Sequence, residues 1–330
     1  MSSGMLRRVS IVGGGALLLL AIAACTGSGS QPNAGGSPGR ATVSRSPAAV
    51  PSAPAPSTPR TSAPATPARL QHVVVIVEEN KPASSVIGNP DAPFVNGLAQ
   101  AGAQAQQYEA VAHPSLPNYL ALTSGTTAGI TSDCNPPGGS CLDTGPNLAQ
   151  RLDRAGRSWR MYAESMPAPC ATANTSRYAV KHNPFLYFPS VTNDAAYCAW
   201  HDVPYDRFAS DLATTTSLPD FSFISPDLCD DMHDCSVATG DAWLRTNVSA
   251  ILASPAFTTQ RSLLVITFDE GDSSDNVVAC ILAGPAARPH AVSAQPFTHY
   301  SLLRTIEREW GLPPLTANDA GAPPMTALLQ

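Results

Sequence analysis

Charge is scarce in this 330-residue chain: Asp, Glu, Lys and Arg together make up 13% of it. The 25 acidic residues outnumber the 19 basic ones, for a net charge of −6. No basic stripe runs through the sequence, and no basic residues interleave with aromatics. Clustered cations are what grip a phosphate backbone, so no nucleic acid partner is expected. An internal repeat is also missing, which sets aside solenoid and propeller architectures.

A long apolar run is absent too. Residues 11–24 are apolar and follow Arg7 and Arg8, but the stretch is too short to span a bilayer comfortably. It has the form of a secretory signal. It ends Ile22-Ala23-Ala24-Cys25, which resembles a bacterial lipoprotein box. The expectation is a signal peptide over residues 1–24, cleavage before Cys25 and lipid on that cysteine. Lipid anchors a protein to a membrane without a spanning helix. Residues 25–69 hold no large apolar side chain beyond Val43 and Val50, and are rich in Pro, Ala, Ser, Gly and Thr. Such a stretch cannot bury enough surface to offset its ordering entropy, so it reads as a disordered tether. An exported monomer is expected, anchored on the outer side of the cytoplasmic membrane or secreted.

Cysteine usage agrees with export. Six of the eight cysteines, Cys134, Cys141, Cys170, Cys198, Cys229 and Cys235, fall in loop-like stretches and suit pairing as neighbours in an oxidising compartment. Cys280 lies in an apolar run and reads as a buried free thiol. A metal site from Cys229, His233 and Cys235 is the competing reading.

Residues 70–330 suffice for one α/β domain with a full core. Two apolar, β-branched runs end in acids: His72-Val73-Val74-Val75-Ile76-Val77-Glu78-Glu79-Asn80 and Leu263-Leu264-Val265-Ile266-Thr267-Phe268-Asp269-Glu270. Apolar on both faces, they read as buried strands of a mostly parallel sheet. Further strands are expected at 158–163, 220–225 and 277–283, and helices at 92–107, 117–123, 146–155, 239–253 and 298–310. Strand and helix alternate, which predicts helices on both sides of the sheet.

Open α/β sheets bind ligands beyond the carboxyl ends of their strands. Two acid tips there would gather several oxygens, and clustered carboxylates need a proton or a cation among them. Glu78 faces opposite to Glu79 along the strand and is assigned a structural role. Between the tips lies His113-Pro114-Ser115-Leu116-Pro117-Asn118-Tyr119. Pro117 suits a first helical turn, which puts Ser115 at a helix N-terminus, where backbone N–H groups favour anions. Its hydroxyl either attacks phosphorus beside a metal or merely caps the helix.

These segments carry a resemblance. Val77-Glu78-Glu79-Asn80, His113 to Tyr119, Asp230-Asp231-Met232-His233-Asp234 and Phe268-Asp269-Glu270-Gly271 resemble the phosphoesterase family, which unites bacterial acid phosphatases and phospholipases C within the alkaline phosphatase superfamily. Lys181-His182-Asn183 and Gly240-Asp241-Ala242-Trp243-Leu244 extend the likeness. The resemblance implies the three-layer fold of that superfamily, with a mostly parallel central sheet. It implies Ser115 as nucleophile and Glu79, Asn80, Asp269 and Glu270 as ligands of a divalent metal ion. Asp231 and His233, then His299, mirror a second metal cluster of the wider superfamily; one ion is expected and two are possible. His233 or His299 is the alternative acid catalyst. His113 is assigned proton transfer or phosphate binding, and Lys181, His182 and Asn118 substrate contact.

The function expected is hydrolysis of phosphate monoesters through a phosphoserine. A phosphorylated small molecule or a phospholipid headgroup is the substrate, phosphatidylinositol 3-phosphate among the candidates. Imidazoles that charge below about pH 6.5 predict an acidic optimum. Two alternatives stand beside it: a phospholipase C-type phosphodiesterase and a non-catalytic, lipid-tethered binding module. If Cys25 carries lipid, Cys25→Ser moves the expressed protein from the detergent phase to the aqueous phase in a phase-partition assay; no change in partitioning refutes the anchor.

Overall fold

β-branched residues dominate β1 (His72–Glu78), and all of its positions are buried. Such a strand belongs inside a sheet covered on both faces. In a computed structural model, which describes residues 69–272 and 275–330, seven more strands accompany it. They are β2 (Ala103–Glu109), β3 (Trp159–Ala163), β4 (Asp202–Pro204), β5 (Phe221–Ser225), β6 (Ser262–Phe268), β7 (Cys280–Ala283) and β8 (Ala291–Thr298). The order is β4-β3-β5-β1-β6-β7-β2-β8. Every pairing is parallel except those of β7, which runs against both β6 and β2. The expected signal, Cys25 and the tether up to residue 68 lie outside the described residues.

β1 and β6 pair over their whole length, from His72 opposite Ser262 to Glu78 opposite Phe268. This register sets the two acid tips side by side. Ile76 is fully buried between the layers; truncating such a side chain to alanine costs about 2–5 kcal/mol. Helix Pro93–Ala101 packs on helix Val237–Ala253, and helix Ser115–Ser124 packs on helix His299–Trp310. No helix among the described residues is long and apolar enough to cross a membrane.

The strands expected at 158–163 and 220–225 and the four later helices are present, with ends shifted by a few residues. The helix expected over 92–107 is not. It stops at Ala101, and Ala103–Glu109 is β2. Gly102 makes the break: a Cβ there would meet the Leu282 carbonyl oxygen of β7 at 2.3 Å, so only glycine lets the strand approach. Ala-Gln-Ala-Gln-Gln has helical propensity, and sheet pairing overrides it. β4 and β8 went unread because one is very short and the other is a polar, exposed edge strand carrying Pro296.

The disulfides are Cys134–Cys141, Cys170–Cys198 and Cys229–Cys235, and Cys280 is a buried free thiol. The pairing removes Cys229 and Cys235 as metal ligands. Residues 69–330, denatured without reductant, should therefore release one thiol to a thiol reagent, rising to seven after reduction; three or more before reduction would contradict the pairing.

Candidate active site

All strands but β7 bring their carboxyl ends to one edge of the sheet. Glu79 follows β1, Asp269 and Glu270 follow β6, Asp231 lies beyond β5, and His299 follows β8. Ser115 opens the helix Ser115–Ser124, reached from β2. Its hydroxyl does not cap that helix. It donates instead to Glu79 Oε2 at 3.1 Å, and it is fully buried.

Glu79 is the hub. Its N–H donates to the Asp231 carbonyl at 2.8 Å, and its Oε1 accepts from the Tyr119 hydroxyl at 2.6 Å. His182 Nε2 lies 3.1 Å from Glu79 Oε1, and His182 Nδ1 lies 3.2 Å from Asp231 Oδ2. Burial disfavours charge on Glu79, but the neighbouring His182, Lys181 and the Tyr119 hydroxyl outweigh it and hold the carboxyl near 2. Burial likewise opposes charge on His182; Glu79 and Asp231 raise its pKa to about 10. It is therefore an imidazolium shared by two carboxylates, closed off from substrate. That differs from the substrate contact expected of it.

Asn80 takes a left-handed backbone conformation, φ 54°, which asparagine tolerates better than most residues. The turn lets its N–H donate to Asp269 Oδ1 at 3.0 Å. Asp269 Oδ2 is buried with no hydrogen-bond partner. Burial, then Glu79 and Glu270, push the Asp269 pKa well up, and burial, Glu79 and Asp133 raise Glu270 to about 8. An orphaned carboxylate oxygen among like charges is the arrangement a hard cation relieves. Glu79, Asn80, Asp269 and Glu270 offer an all-oxygen donor set, the chemistry that a hard divalent ion takes. Asp231 Oδ1 accepts from the His233 N–H at 2.8 Å, and its buried Oδ2, 3.2 Å from His182 Nδ1, makes no hydrogen bond. A tighter acidic cluster, Glu164, Asp227 and Asp230, stands elsewhere, with its charge offset by Arg177 at 2.7 Å from Asp227.

The remaining expected residues divide between open and closed positions. His113 is partly exposed, with Nδ1 at 2.8 Å from Glu270 Oε2. Lys181 donates to Ser115 Oγ at 3.2 Å. His233 is partly exposed and bound to Asp234, with its ring 6.0 Å from that of His182. Asn118 is buried and braces the loop before the helix, accepting from the Val111 and Ala112 N–H groups, so substrate contact through it is not what the structure shows. His299 is also closed: Nε2 meets the Asp269 carbonyl at 2.6 Å and Nδ1 meets the Tyr108 hydroxyl at 3.1 Å. Burial lowers its pKa to about 4, so it stays neutral and steadies the strand end that carries Asp269. Glu78, on the other face, is buried with no partner for either oxygen.

Two residues of the site were not anticipated. Tyr119 stands four positions after Ser115, which puts both on one helix face, and that spacing was the available signal. Asp133 had none. It accepts from the Leu116 N–H at 2.9 Å and from Lys181 at 3.1 Å, across loops no local pattern connects. A cavity of about 520 Å³ beside β8, lined by Glu109, Phe297 and Tyr300 among others, contains none of these groups.

Residues 87–313 match the phosphoesterase family. A phosphatidylinositol-3-phosphatase of Mycobacterium tuberculosis is 40% identical over 257 residues, which cover 77% of this chain and 81% of the relative. A phosphate-repressible acid phosphatase of Penicillium chrysogenum is 34% identical over 68% of this chain and 56% of its own. An acid phosphatase of Aspergillus fumigatus is 31% identical, again over 68% of this chain, and 52% of its own. The chain spans about half the length of these two fungal relatives. In fold it is similar to a Vibrio parahaemolyticus protein of the alkaline phosphatase superfamily, with TM-score 0.53, 13% identity and coverage of 74% and 67%. Human ectonucleotide pyrophosphatase/phosphodiesterase 5 aligns with TM-score 0.51 and 12% identity over 79% of this chain and all of that one.

Beside the site, Asp202 is fully buried, bonded through Oδ1 to Asn183 Nδ2 at 2.8 Å, with Oδ2 unpartnered. Burial raises its pKa from 3.8 to about 7. A carboxyl that binds its proton more tightly in the folded chain gives stability that is whole below the unfolded pKa and lost as pH rises through the folded one. The melting temperature should fall between about pH 4 and pH 7, and Asp202→Asn should flatten that fall. An unchanged slope in the variant would refute the assignment.

Proposed function

The chain belongs to the phosphoesterase family, and from that premise we propose that it hydrolyses phosphate monoesters with Ser115 as the nucleophile. The observation that carries this reading is the placement of one buried hydroxyl between a carboxylate and an ammonium at a helix N-terminus. Ser115 Oγ donates to Glu79 and accepts from Lys181.

Glu79 draws the Ser115 proton away while Lys181 faces the oxygen lone pair. The hydroxyl is thus held in one orientation before attack, which lowers the entropic part of the barrier. Lys181 and the positive end of the helix dipole favour the charged phosphoryl oxygens. Glu79, Asn80, Asp269 and Glu270 would hold a divalent cation, which when bound stabilises negative charge at the nucleophile and the phosphoryl group. His182 fixes Glu79 and Asp231, and His299 fixes the backbone of Asp269; both act through other residues. His233, open to solvent, is the group assigned to protonate the leaving oxygen, and His113 on Glu270 orients the opposite rim. Attack by Ser115 gives a phosphoserine, and water then releases phosphate.

The substrate class is a phosphorylated small molecule or a phosphoinositide headgroup, as the name of the mycobacterial relative suggests. Export, and a membrane anchor through Cys25, would place the site outside the cytoplasmic membrane. His182 stays charged and His299 stays neutral across the acidic range, so neither is expected to set the pH dependence of turnover.

Ser115→Ala should lower phosphate release from p-nitrophenyl phosphate by ~100-fold or more, and a chelator should abolish release until a divalent cation is restored. Retention of more than about a tenth of the rate rules out the nucleophile. Faster turnover of the bis-ester than of the monoester would favour the phosphodiesterase reading. No release from either ester, with or without cations, would favour a binding module.

A further inference from the structure

Asp133 has no place in the mechanism above, yet it touches both sides of the nucleophile. Its Oδ1 accepts from the N–H of Leu116, the residue directly after Ser115, at 2.9 Å. Its Oδ2 accepts from Lys181 Nζ at 3.1 Å, and the same ammonium reaches Ser115 Oγ at 3.2 Å. We infer that Asp133 is the positioning residue for Lys181, holding its ammonium on the nucleophile and off the carboxylates that would bind the cation. The inference rests on the phosphoserine reading and deepens it.

Lysine is a compact charge on a flexible stem, and nothing in its geometry selects one acceptor among several. Lys181 faces four carboxylates by charge: Glu79, Asp133, Asp269 and Glu270. Three of these, Glu79, Asp269 and Glu270, belong to the candidate cation site. An ammonium free to swing would compete with the cation there and leave Ser115. Asp133 is the one of the four outside that donor set, and it is the one that Lys181 meets at hydrogen-bond distance. The carboxylate is itself well fixed. Cys134, the next residue, is in disulfide linkage with Cys141, and its carbonyl accepts from the Tyr187 hydroxyl. Asp133 does not reach Ser115 directly in this arrangement, so it acts through Lys181.

A rival account is that Asp133 only satisfies the exposed N–H of Leu116 and so caps the helix. Asp133→Asn separates the two. Its amide oxygen can still accept from Leu116, while its NH₂ faces the ammonium and offers it no acceptor. Asp133→Ala removes both contacts. If Asp133 works through Lys181, Asn and Ala variants lose kcat alike, by ~10-fold or more, against ~100-fold for Lys181→Ala. The double variant Asp133→Asn/Lys181→Ala is then no slower than Lys181→Ala alone. If capping is the whole role, Asp133→Asn keeps the wild-type rate, or the two losses multiply; either result overturns the inference.

A second readout needs no turnover. The chain contains two lysines, Lys81 and Lys181, so isotope labelling of lysine side chains gives two ammonium signals. Lys181→Ala assigns them. Asp133→Asn should move the Lys181 signal and leave that of Lys81 in place; an unmoved Lys181 signal overturns the positioning role. Wild-type protein that releases no phosphate from p-nitrophenyl phosphate defeats the phosphatase reading, while the lysine signals still test the contact. Active wild-type protein with multiplying losses defeats the inference alone.

Discussion

One electrostatic constraint organises this edge of the sheet: the buried Glu79 carboxyl is held well below the usual carboxylate range by the partners around it. Two like charges 4 Å apart repel by roughly 4 kcal/mol at an effective dielectric of about 20, so such a group persists only with positive partners or donors around it. The chain supplies His182, Lys181, the Ser115 hydroxyl and the Tyr119 hydroxyl. With Glu79 charged, Asp269 and Glu270 cannot readily ionise as well, and both hold their protons more tightly than isolated carboxyls do. A cation among the three would reverse that. The same repulsion makes the edge unfavourable without a counter-charge.

Rigidity around this hub comes from features that are not catalytic. The Cys229–Cys235 bridge closes a short loop that contains both Asp231 and His233, and Cys134–Cys141 begins beside Asp133. Each removes freedom from a loop whose side chains meet the active-site network. The histidines divide in a similar way. His182 and His299 are closed off and differ in charge, one an imidazolium and one neutral, because one sits between carboxylates and the other faces a carbonyl and a phenol. His113 and His233 keep contact with solvent.

How much of this could be read in advance depended on whether the signal was local. The β1 and β6 runs were legible because burial on both faces demands continuous apolar, β-branched sequence. The Ser115 helix was legible through Pro117 and the apolar residues after it. The end of the preceding helix was not, since Ala103 to Gln107 favours a helix in isolation and only contact between Gly102 and Leu282 of β7 forces the strand. The resemblance assigned His182, like Lys181, to substrate contact. Only the packed structure shows the two side chains diverging, Lys181 to Ser115 and His182 into the wall between Glu79 and Asp231.

The chain's order of residues alone determined that there is an α/β domain, that acids end two of its strands and that a hydroxyl opens a helix. Each of these follows from period, composition and caps within a few residues. Tertiary structure decided what each side chain does there. Asp133, 18 positions from Ser115 in the chain, becomes the support of its lysine. Asn118 becomes a brace and His299 a neutral prop. Charge state and hydrogen-bond partner are properties of a neighbourhood, and these neighbours come from segments far apart in the chain.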